Sequence, residues 1–401
     1  MQNVREIVEN LYWVGANDHR THLFENIHPI PEGVSYNSYL LLDEKTVLFD
    51  TVDWSVCQQF LDNIEYVLDG RPLDYMVINH MEPDHAACLN EVLLRHPEAT
   101  VISTEKGFYF MTQFNFHVEK KLQVATGDTF SSGKHNFAFV EIPMVHWPEP
   151  MVTLDTTNGV LFSADAFGSF KALDGKLFAD EVDWDRDWLE PGRRYYTNIV
   201  GKYGPHVQSV LKVAADLPIK LICPLHGLVW RKDLGYIIDK YDKWSSYTPE
   251  KVGVMICYAS MYGHTEEVAQ LLASEIVKRG ETEVTVFDVS NTHKSYLIGE
   301  AFRLSHLVLA CPTYNLGVYP PMKEFIADMQ ALNLQNRTFG LIENGTWAPS
   351  SGALMRDMID EMREMYYVDA EATIVSALNH NTRPDIEAMA DAIVESMRKQ
   401  K

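Results

Sequence analysis

The segment His80-Met-Glu82-Pro-Asp84-His85 places four residues of metal-ligand type within six positions. It follows Tyr75–Asn79, a run with the character of a β-strand. In extended backbone, residues two apart share a face, so His80, Glu82 and Asp84 can converge, while His85 starts from the next position on a turn. Taken alone, the segment could be a polar loop carrying ordinary charges. Three later positions argue for metal. His146 stands in Met144-Val-His-Trp-Pro148, Asp165 in Phe162-Ser-Ala-Asp-Ala-Phe-Gly168 and His226 in Ile222-Cys-Pro-Leu-His-Gly227. Each follows a strand-like stretch and precedes a tight turn. One such histidine would usually be structural. Together the positions supply four imidazoles and three carboxylates, enough for two metal ions with Asp165 between them.

The ligand chemistry has a preference. Zinc hydrolases with a related H-x-H-x-D-H loop carry His where this chain has Glu82. A carboxylate there makes the set harder and richer in oxygen, which suits iron better than zinc. Cysteine contributes nothing to it. Cys57, Cys88, Cys223, Cys257 and Cys311 are widely spaced, odd in number and without a C-x-x-C pair. That pattern fits reduced, buried thiols and leaves no Cys-ligated iron–sulfur or rubredoxin module within these residues.

A second chemistry is written further along the chain. Tyr258-Ala-Ser260-Met261-Tyr262-Gly263-His264-Thr265 is a hydroxyl-rich turn from a strand into a helix. It matches neither a G-x-G-x-x-G dinucleotide loop nor a P-loop with its lysine. Ser260, Thr265 and the amides of a helix start can hold one phosphate monoester, although a simple Ser or Thr N-cap would look the same. Two more loops follow parallel strands: Cys311-Pro312-Thr313-Tyr314-Asn315-Leu-Gly317 and Asn344-Gly345-Thr346-Trp347. Each offers an aromatic, Tyr314 or Trp347, among small polar residues, suited to stack on a flat heterocycle. Open α/β sheets bind ligands at these strand ends, and the three loops together point to FMN.

The elements that must position these groups divide the chain. The polar stretch Ser245-Ser-Tyr-Thr-Pro-Glu-Lys251 separates two patterns, giving expected domains at 1–249 and 250–401. Before it, strands at Tyr39–Leu42, Thr46–Phe49 and Asn136–Ile142, and a hairpin around Thr157-Asn158-Gly159, mix with helices. Cys57, Phe60, Leu61, Ile64 and Leu68 follow helical spacing, with Gly70 at the expected C-cap. A layered α/β sandwich is the expectation. After the break, strands at Val252–Cys257, Glu283–Val289, His306–Ala310, Thr338–Ile342 and Thr373–Ala377 alternate with helices, including one near Ala353–Met365. That predicts an open, doubly wound, five-stranded parallel sheet.

Composition bounds the partners. The 401 residues carry a formal net charge of -22, which argues against non-specific nucleic-acid binding and against docking on anionic membranes. There is no apolar run of about 18 residues and no apolar core near the N-terminus, so a cytoplasmic protein is expected.

With both halves read, the whole chain resembles the flavodiiron proteins, or A-type flavoproteins. The first half looks like a metallo-β-lactamase αββα sandwich and the second like a flavodoxin. The resemblance implies that His80, Glu82 and His146 hold one iron, that Asp84, His85 and His226 hold the other, and that Asp165 bridges. It implies reduction of dioxygen to water, or of nitric oxide to nitrous oxide, in protection of an anaerobic or microaerobic cell. Two ferrous ions and reduced FMN together supply four electrons. It also implies an external donor, rubredoxin or a reduced deazaflavin coenzyme, and a head-to-tail homodimer or a dimer of such dimers. Ala164 stands where many relatives have Asn, Glu25 where many have His, and the position of His85 is not a ligand in every member. A zinc-dependent hydrolase fused to a flavodoxin-like module is the alternative.

Overall fold

The computed structural model describes residues 2–401. The chain forms two compact units, one of Met1–Tyr196 with Pro205–Tyr241 and one of Thr197–Gly204 with Asp242–Lys401.

The first unit is built on a seven-stranded and a five-stranded sheet. The larger sheet is antiparallel through Tyr39–Leu42 and Thr46–Phe49, then parallel through Tyr75–Val77, Thr100–Ser103 and Lys121–Gln123. The smaller contains the hairpin Met151–Asp155 and Val160–Phe162, with Leu221–Cys223 added in parallel. Phe49 of the first sheet stacks on Phe162 of the second, with ring centroids 3.7 Å apart and planes 7° from parallel. The two sheets therefore face one another across an apolar core, and one such aromatic pair adds about 0.5–1.5 kcal/mol beyond its buried area.

The helix Cys57–Leu68 buries Cys57, Phe60, Leu61, Ile64 and Leu68. Its left-handed terminator is Asp69, with φ 44°, and Gly70 follows at φ 84°, one residue later than the spacing suggests.

The second unit carries five parallel strands in spatial order 2-1-3-4-5: Lys251–Tyr258, Val284–Asp288, Leu304–Tyr314, Arg337–Asn344 and Met365–Ile374. The short strand Gly317–Val318 folds back on the third. Alternate residues of the first strand serve two cores. Met255 and Cys257 pack with Phe302, Phe325 and Phe339, whereas Val254 and Ile256 pack with Val268, Leu272, Met389 and Ile393. A sheet covered on both faces is why these strands read as continuous apolar runs.

Thr197–Gly204 joins this unit through local bonds. Asn198 Nδ2 donates to Ser295 O at 3.1 Å, and Tyr247 Oη donates to Gly201 O at 2.9 Å. Buried Arg337 ties the same region together by donating to the carbonyls of Ala301, Phe302 and Tyr247 at 2.6–2.8 Å.

Three elements of the second unit depart from the sequence reading. The helix Lys294–Arg303 has no counterpart in it; Gly299 and scattered polar residues mask its periodicity. The helix expected near Ala353–Met365 ends at Asp360, and the last strand begins at Met365 rather than Thr373. The run Met365-Tyr-Tyr-Val is aromatic and β-branched, which favours a strand over another helical turn. Among the described residues, no helix is long and apolar enough to cross a membrane.

Candidate metal centre and flavin site

Three residues past the last paired position is where the sheets of the first unit deliver their chemistry. Val77 ends a strand and His80 follows; Phe162 and Cys223 are register partners on adjacent parallel strands, and Asp165 and His226 follow them. Glu82 holds the N-cap position of the short helix Pro83–Ala86, which Pro83 starts, and its side chain makes no capping bond. The ligand segment is thus not extended throughout. His80 and Glu82 lie before the helix and turn to one side, while Asp84 and His85, on the helix, turn to the other.

Asp165 stands between two groups. Its Oδ2 lies 3.3 Å from His80 Nε2 and 3.4 Å from His146 Nε2, and Glu82 Oε2 lies 3.2 and 3.0 Å from the same nitrogens. Its Oδ1 lies 3.0 Å from His85 Nε2 and 3.7 Å from His226 Nε2, and Asp84 Oδ2 lies 3.3 and 3.2 Å from those two. All the sequence-derived ligand candidates therefore meet in two clusters, His80, Glu82, His146 and Asp165, and Asp84, His85 and His226.

The fit to metal can be judged from how these atoms point. Asp165 Oδ1, both Asp84 oxygens, and Nε2 of His85 and His226 are buried with no hydrogen-bond partner among the described residues. They approach one another yet do not aim at one another, the arrangement of ligands directed at a common centre. Unsatisfied buried polar atoms are costly, so a cation between them removes a penalty.

The surroundings fix the tautomers. His80 Nδ1 lies 2.7 Å from Glu149 Oε1, which also accepts the Met81 N–H at 2.9 Å, and His226 Nδ1 lies 2.8 Å from Ser35 O. Partners at Nδ1 leave Nε2 free to ligate. Asp50 accepts the backbone N–H groups of Asn79 and His80 at 2.7 and 3.2 Å, which anchors the start of the ligand segment.

Burial alone would push the Glu82 carboxyl up, but hydrogen bonds from His146 and His80 hold it well below the usual carboxylate range. Burial works on Asp165 in the same sense and loses to His85, His146 and His80. The imidazoles respond in kind. Burial pulls His85 and His146 down, yet the carboxylates raise them to about 8 and about 9.

Glu149, Asp50 and Tyr195 are members of the site that sequence reasoning missed. Tyr195 is fully buried, its ring centroid 5.4 Å from that of His226, and its hydroxyl has no hydrogen-bond partner among the described residues. Burial, with Asp165 nearby, pushes its pKa well above the ordinary value, so it remains a proton donor. Phe24 and Tyr36 complete the aromatic wall around His226 at 5.3 and 5.7 Å. Glu25, about a third exposed, sits at the edge of the cluster. Burial and neighbouring Glu82 raise its carboxyl to about 7.

In the second unit a cavity of about 590 Å³ opens at the strand ends. Its lining includes Ser260, Met261, Tyr262, His264 and Thr265 of the first loop, Pro312, Thr313, Tyr314 and Asn315 of the second, and Asn344, Gly345, Thr346 and Trp347 of the third. Gly263 and Gly317 shape their loops without lining the cavity, whereas Leu316 and Ser376 line it and were not anticipated. Gly263, at φ 91°, precedes the helix His264–Lys278, and its N–H donates to Ser260 Oγ at 3.0 Å. Asn344 Nδ2 donates to Thr265 Oγ1 at 3.2 Å, linking the first and third loops. A helix N-terminus with hydroxyls at one end and exposed aromatics around the rim fits a flat ring carrying a phosphate. Trp347 is 78 % and Tyr262 87 % exposed, so both are free to cover such a ring.

Comparison with known proteins places this architecture. The family described as ODP family beta lactamase matches residues 34–227, and the flavodoxin family matches 256–361. Fold and site together define a two-domain protein that joins a β-lactamase-type metal unit to a flavodoxin. The anaerobic nitric oxide reductase flavorubredoxin of Klebsiella pneumoniae is 32% identical over 397 residues, covering 96% of this chain and 78% of the relative. The solved rubredoxin oxygen:oxidoreductase of Desulfovibrio gigas superposes with a TM-score of 0.91 at 28% identity, covering 99% of each chain. The flavodiiron protein of Giardia intestinalis shares the fold, with a TM-score of 0.87 at 24% identity, covering 100% of this chain and 98% of the other. The chain belongs to the flavodiiron protein family, and that membership implies an FMN and a diiron centre.

Proposed function

We propose that this chain reduces dioxygen to water, nitric oxide to nitrous oxide, or both, at a diiron centre in its 1–249 part fed by FMN in its 250–401 part. The observation that carries the reading is Asp165, whose two carboxylate oxygens face two separate groups of ligands. His80, Glu82 and His146 would hold one iron, Asp84, His85 and His226 the other, and Asp165 would join them. Bound there, two ferrous ions and reduced FMN would supply the four electrons that take dioxygen to water, or the two that couple a pair of nitric oxide molecules.

The protein's own groups do the rest. Glu149 and the Ser35 carbonyl orient His80 and His226. Phe24, Tyr36 and Tyr195 keep bulk water from the His226 side, while the Tyr195 hydroxyl holds a proton within the pocket. Glu25, close to Glu82 at the exposed edge, is placed to pass protons inward from solvent. The loops around Ser260, Thr313 and Asn344 would hold the phosphate and ring of FMN, with Tyr314 and Trp347 against the flavin. A zinc hydrolase is not favoured, because Glu82 sits between His80 and His146 where those enzymes have an imidazole.

The donor we propose is rubredoxin, by likeness to the rubredoxin oxygen:oxidoreductase of Desulfovibrio gigas and the flavorubredoxin of Klebsiella pneumoniae. A reduced deazaflavin coenzyme is the second choice. We also propose a head-to-tail homodimer, or a dimer of such dimers, in which one chain's FMN serves its partner's irons. Five free thiols suit a reducing compartment, in keeping with the cytoplasm. Metal and flavin quantification tests the reading, with two irons and one FMN per chain expected. Zinc without flavin would overturn it.

A further inference from the structure

Another cavity, of about 210 Å³, lies in the first unit behind the segment that carries Asp165. Its floor is the outer face of the five-stranded sheet. Phe162 points inward to stack on Phe49, so its neighbour Leu161 points outward. Leu161 pairs with Leu154, and Val152 with Val140, which puts Val140 and Val152 on the same outer face. Its roof is the helix Gly204–Ala214, where Val207, Val210, Leu211 and Ala214 recur at helical spacing. Val207 is buried, but Val210, Leu211 and Ala214 are only half-buried and line the cavity. The apolar face of this helix is thus closed at one end and open at the other.

The ligand segment itself forms one wall. Ser163, Ala166 and Phe167 line the cavity, whereas Ala164 and Asp165 do not. Left-handed backbone at Ala164, φ 51°, and at Phe167, φ 69°, folds the chain so that Asp165 faces the metal ligands while its neighbours face away. A single thickness of chain separates the cavity from the carboxylate that stands between the two metal groups.

The wall has little to offer water. Ser163 Oγ already donates to Ala166 O at 2.8 Å, and Ser209 Oγ to Pro205 O at 3.0 Å. Glu141 Oε2 accepts from the Thr126 N–H at 3.3 Å, and both Glu141 and His206 are exposed to solvent. A buried water needs about two to four polar partners, and an apolar cavity of about 150 Å³ stays dry and takes up benzene or xenon. Dioxygen and nitric oxide are small, uncharged and weakly hydrated, so an apolar space favours them over water.

We propose that this cavity is a holding site for the gaseous substrate, dioxygen or nitric oxide, on the side of the Asp165 segment away from the metal ligands. The inference rests on the reading that the metal centre reduces one of these gases. Uptake asks for no charge and no hydrogen bond from the wall. It concentrates the gas one chain thickness from Asp165, a form of ground-state binding that lowers KM and leaves kcat alone.

The test begins with crystals of the full-length holoprotein pressurised with xenon, an apolar probe. Ordered xenon between Leu161 and Ala214 is expected. Ala214→Phe and Val210→Phe each bring a ring into the cavity from the helix. Either should abolish that xenon and raise KM for the gas about threefold at unchanged kcat. Ordered water in place of xenon, or xenon bound only elsewhere, would overturn the proposal. So would an unchanged KM in a folded variant that has lost the xenon. Xenon uptake requires no turnover, so the two readings separate. A protein that reduces gas but takes up no xenon here overturns the holding site alone. One that takes up xenon but reduces neither gas overturns the proposed function and the substrate role with it. The xenon result on the unsubstituted protein stands even if both variants fail to fold.

Discussion

Glu149→Gln isolates the part of the metal centre that lies outside its ligands. Glu149 is buried, with Oε1 2.7 Å from His80 Nδ1 and 2.9 Å from the Met81 amide nitrogen. The substitution keeps shape and removes charge. Because Met81 N–H must still find an acceptor, the Gln carbonyl takes the place of Oε1 and the amide group takes that of Oε2. His80 stays oriented but loses the carboxylate that makes its Nε2 more basic. Removing such a partner typically lowers metal affinity about 10–100-fold, or roughly 1.4–2.7 kcal/mol. Only the ion shared by His80, Glu82 and His146 should weaken, because the other group's Nδ1 partner is Ser35 O on His226. Anaerobic titration with cobalt(II) against a competing chelator resolves the two sites. Expected is one dissociation constant unchanged and one raised. Both at the parental value would refute the idea that Glu149 tunes His80, and both raised equally would refute the division into two groups. Urea unfolding of the metal-free variant serves as a control, since the new amide lies where Glu149 Oε2 has no partner.

Asp165→Ala removes the carboxylate that faces both groups, so metal analysis should fall from about two ions per chain to fewer than one, with flavin content unchanged. Ala164 is held at φ 51°, a left-handed conformation costly for any residue with a Cβ, so Ala164→Gly should raise stability by about 0.5–1 kcal/mol in urea unfolding of the first unit; a loss would mean that the methyl is needed for packing. In the second unit, burial pushes the His306 imidazole down to about 4. The unfolded chain binds this proton near pH 6.5 and the folded one only near 4. Stability is therefore complete above the unfolded value and falls by up to about 3 kcal/mol as pH drops through that window, a slope that His306→Asn should remove in pH-dependent denaturation.

The ligand candidates were legible because each stands just past a strand, where His or Asp has little structural reason to recur. Alternation along the segment from His80 to Asp84 expected the three side chains on one face, and the structure divides them between two groups. Pro83 starts a helical turn there, and that turn sends Asp84 to the second group instead of the first. Glu149 and Tyr195 carried no local signal. The partner of Glu149 is 69 positions away, and Tyr195 lies in a helix whose neighbours Pro191, Gly192 and Tyr196 read as ordinary packing. The flavodoxin-type strands were visible as apolar runs because both faces are buried. Met365–Ile374, at the edge of its sheet, buries few of its residues, and its polar, alternating pattern blurred into the helix before it.

In the proposed reaction, electrons must reach a two-metal site whose halves share Asp165. A single-turnover product analysis tests this most directly. Protein reduced anaerobically at FMN and both irons is mixed with limiting dioxygen, and water, peroxide and the remaining reducing equivalents are measured. The prediction is about four electrons consumed for each dioxygen, with no peroxide above the level of a flavin-free control, and loss of that reaction in Asp165→Ala. Stoichiometric peroxide at about two electrons per dioxygen, or equally fast clean reduction by Asp165→Ala, would contradict it.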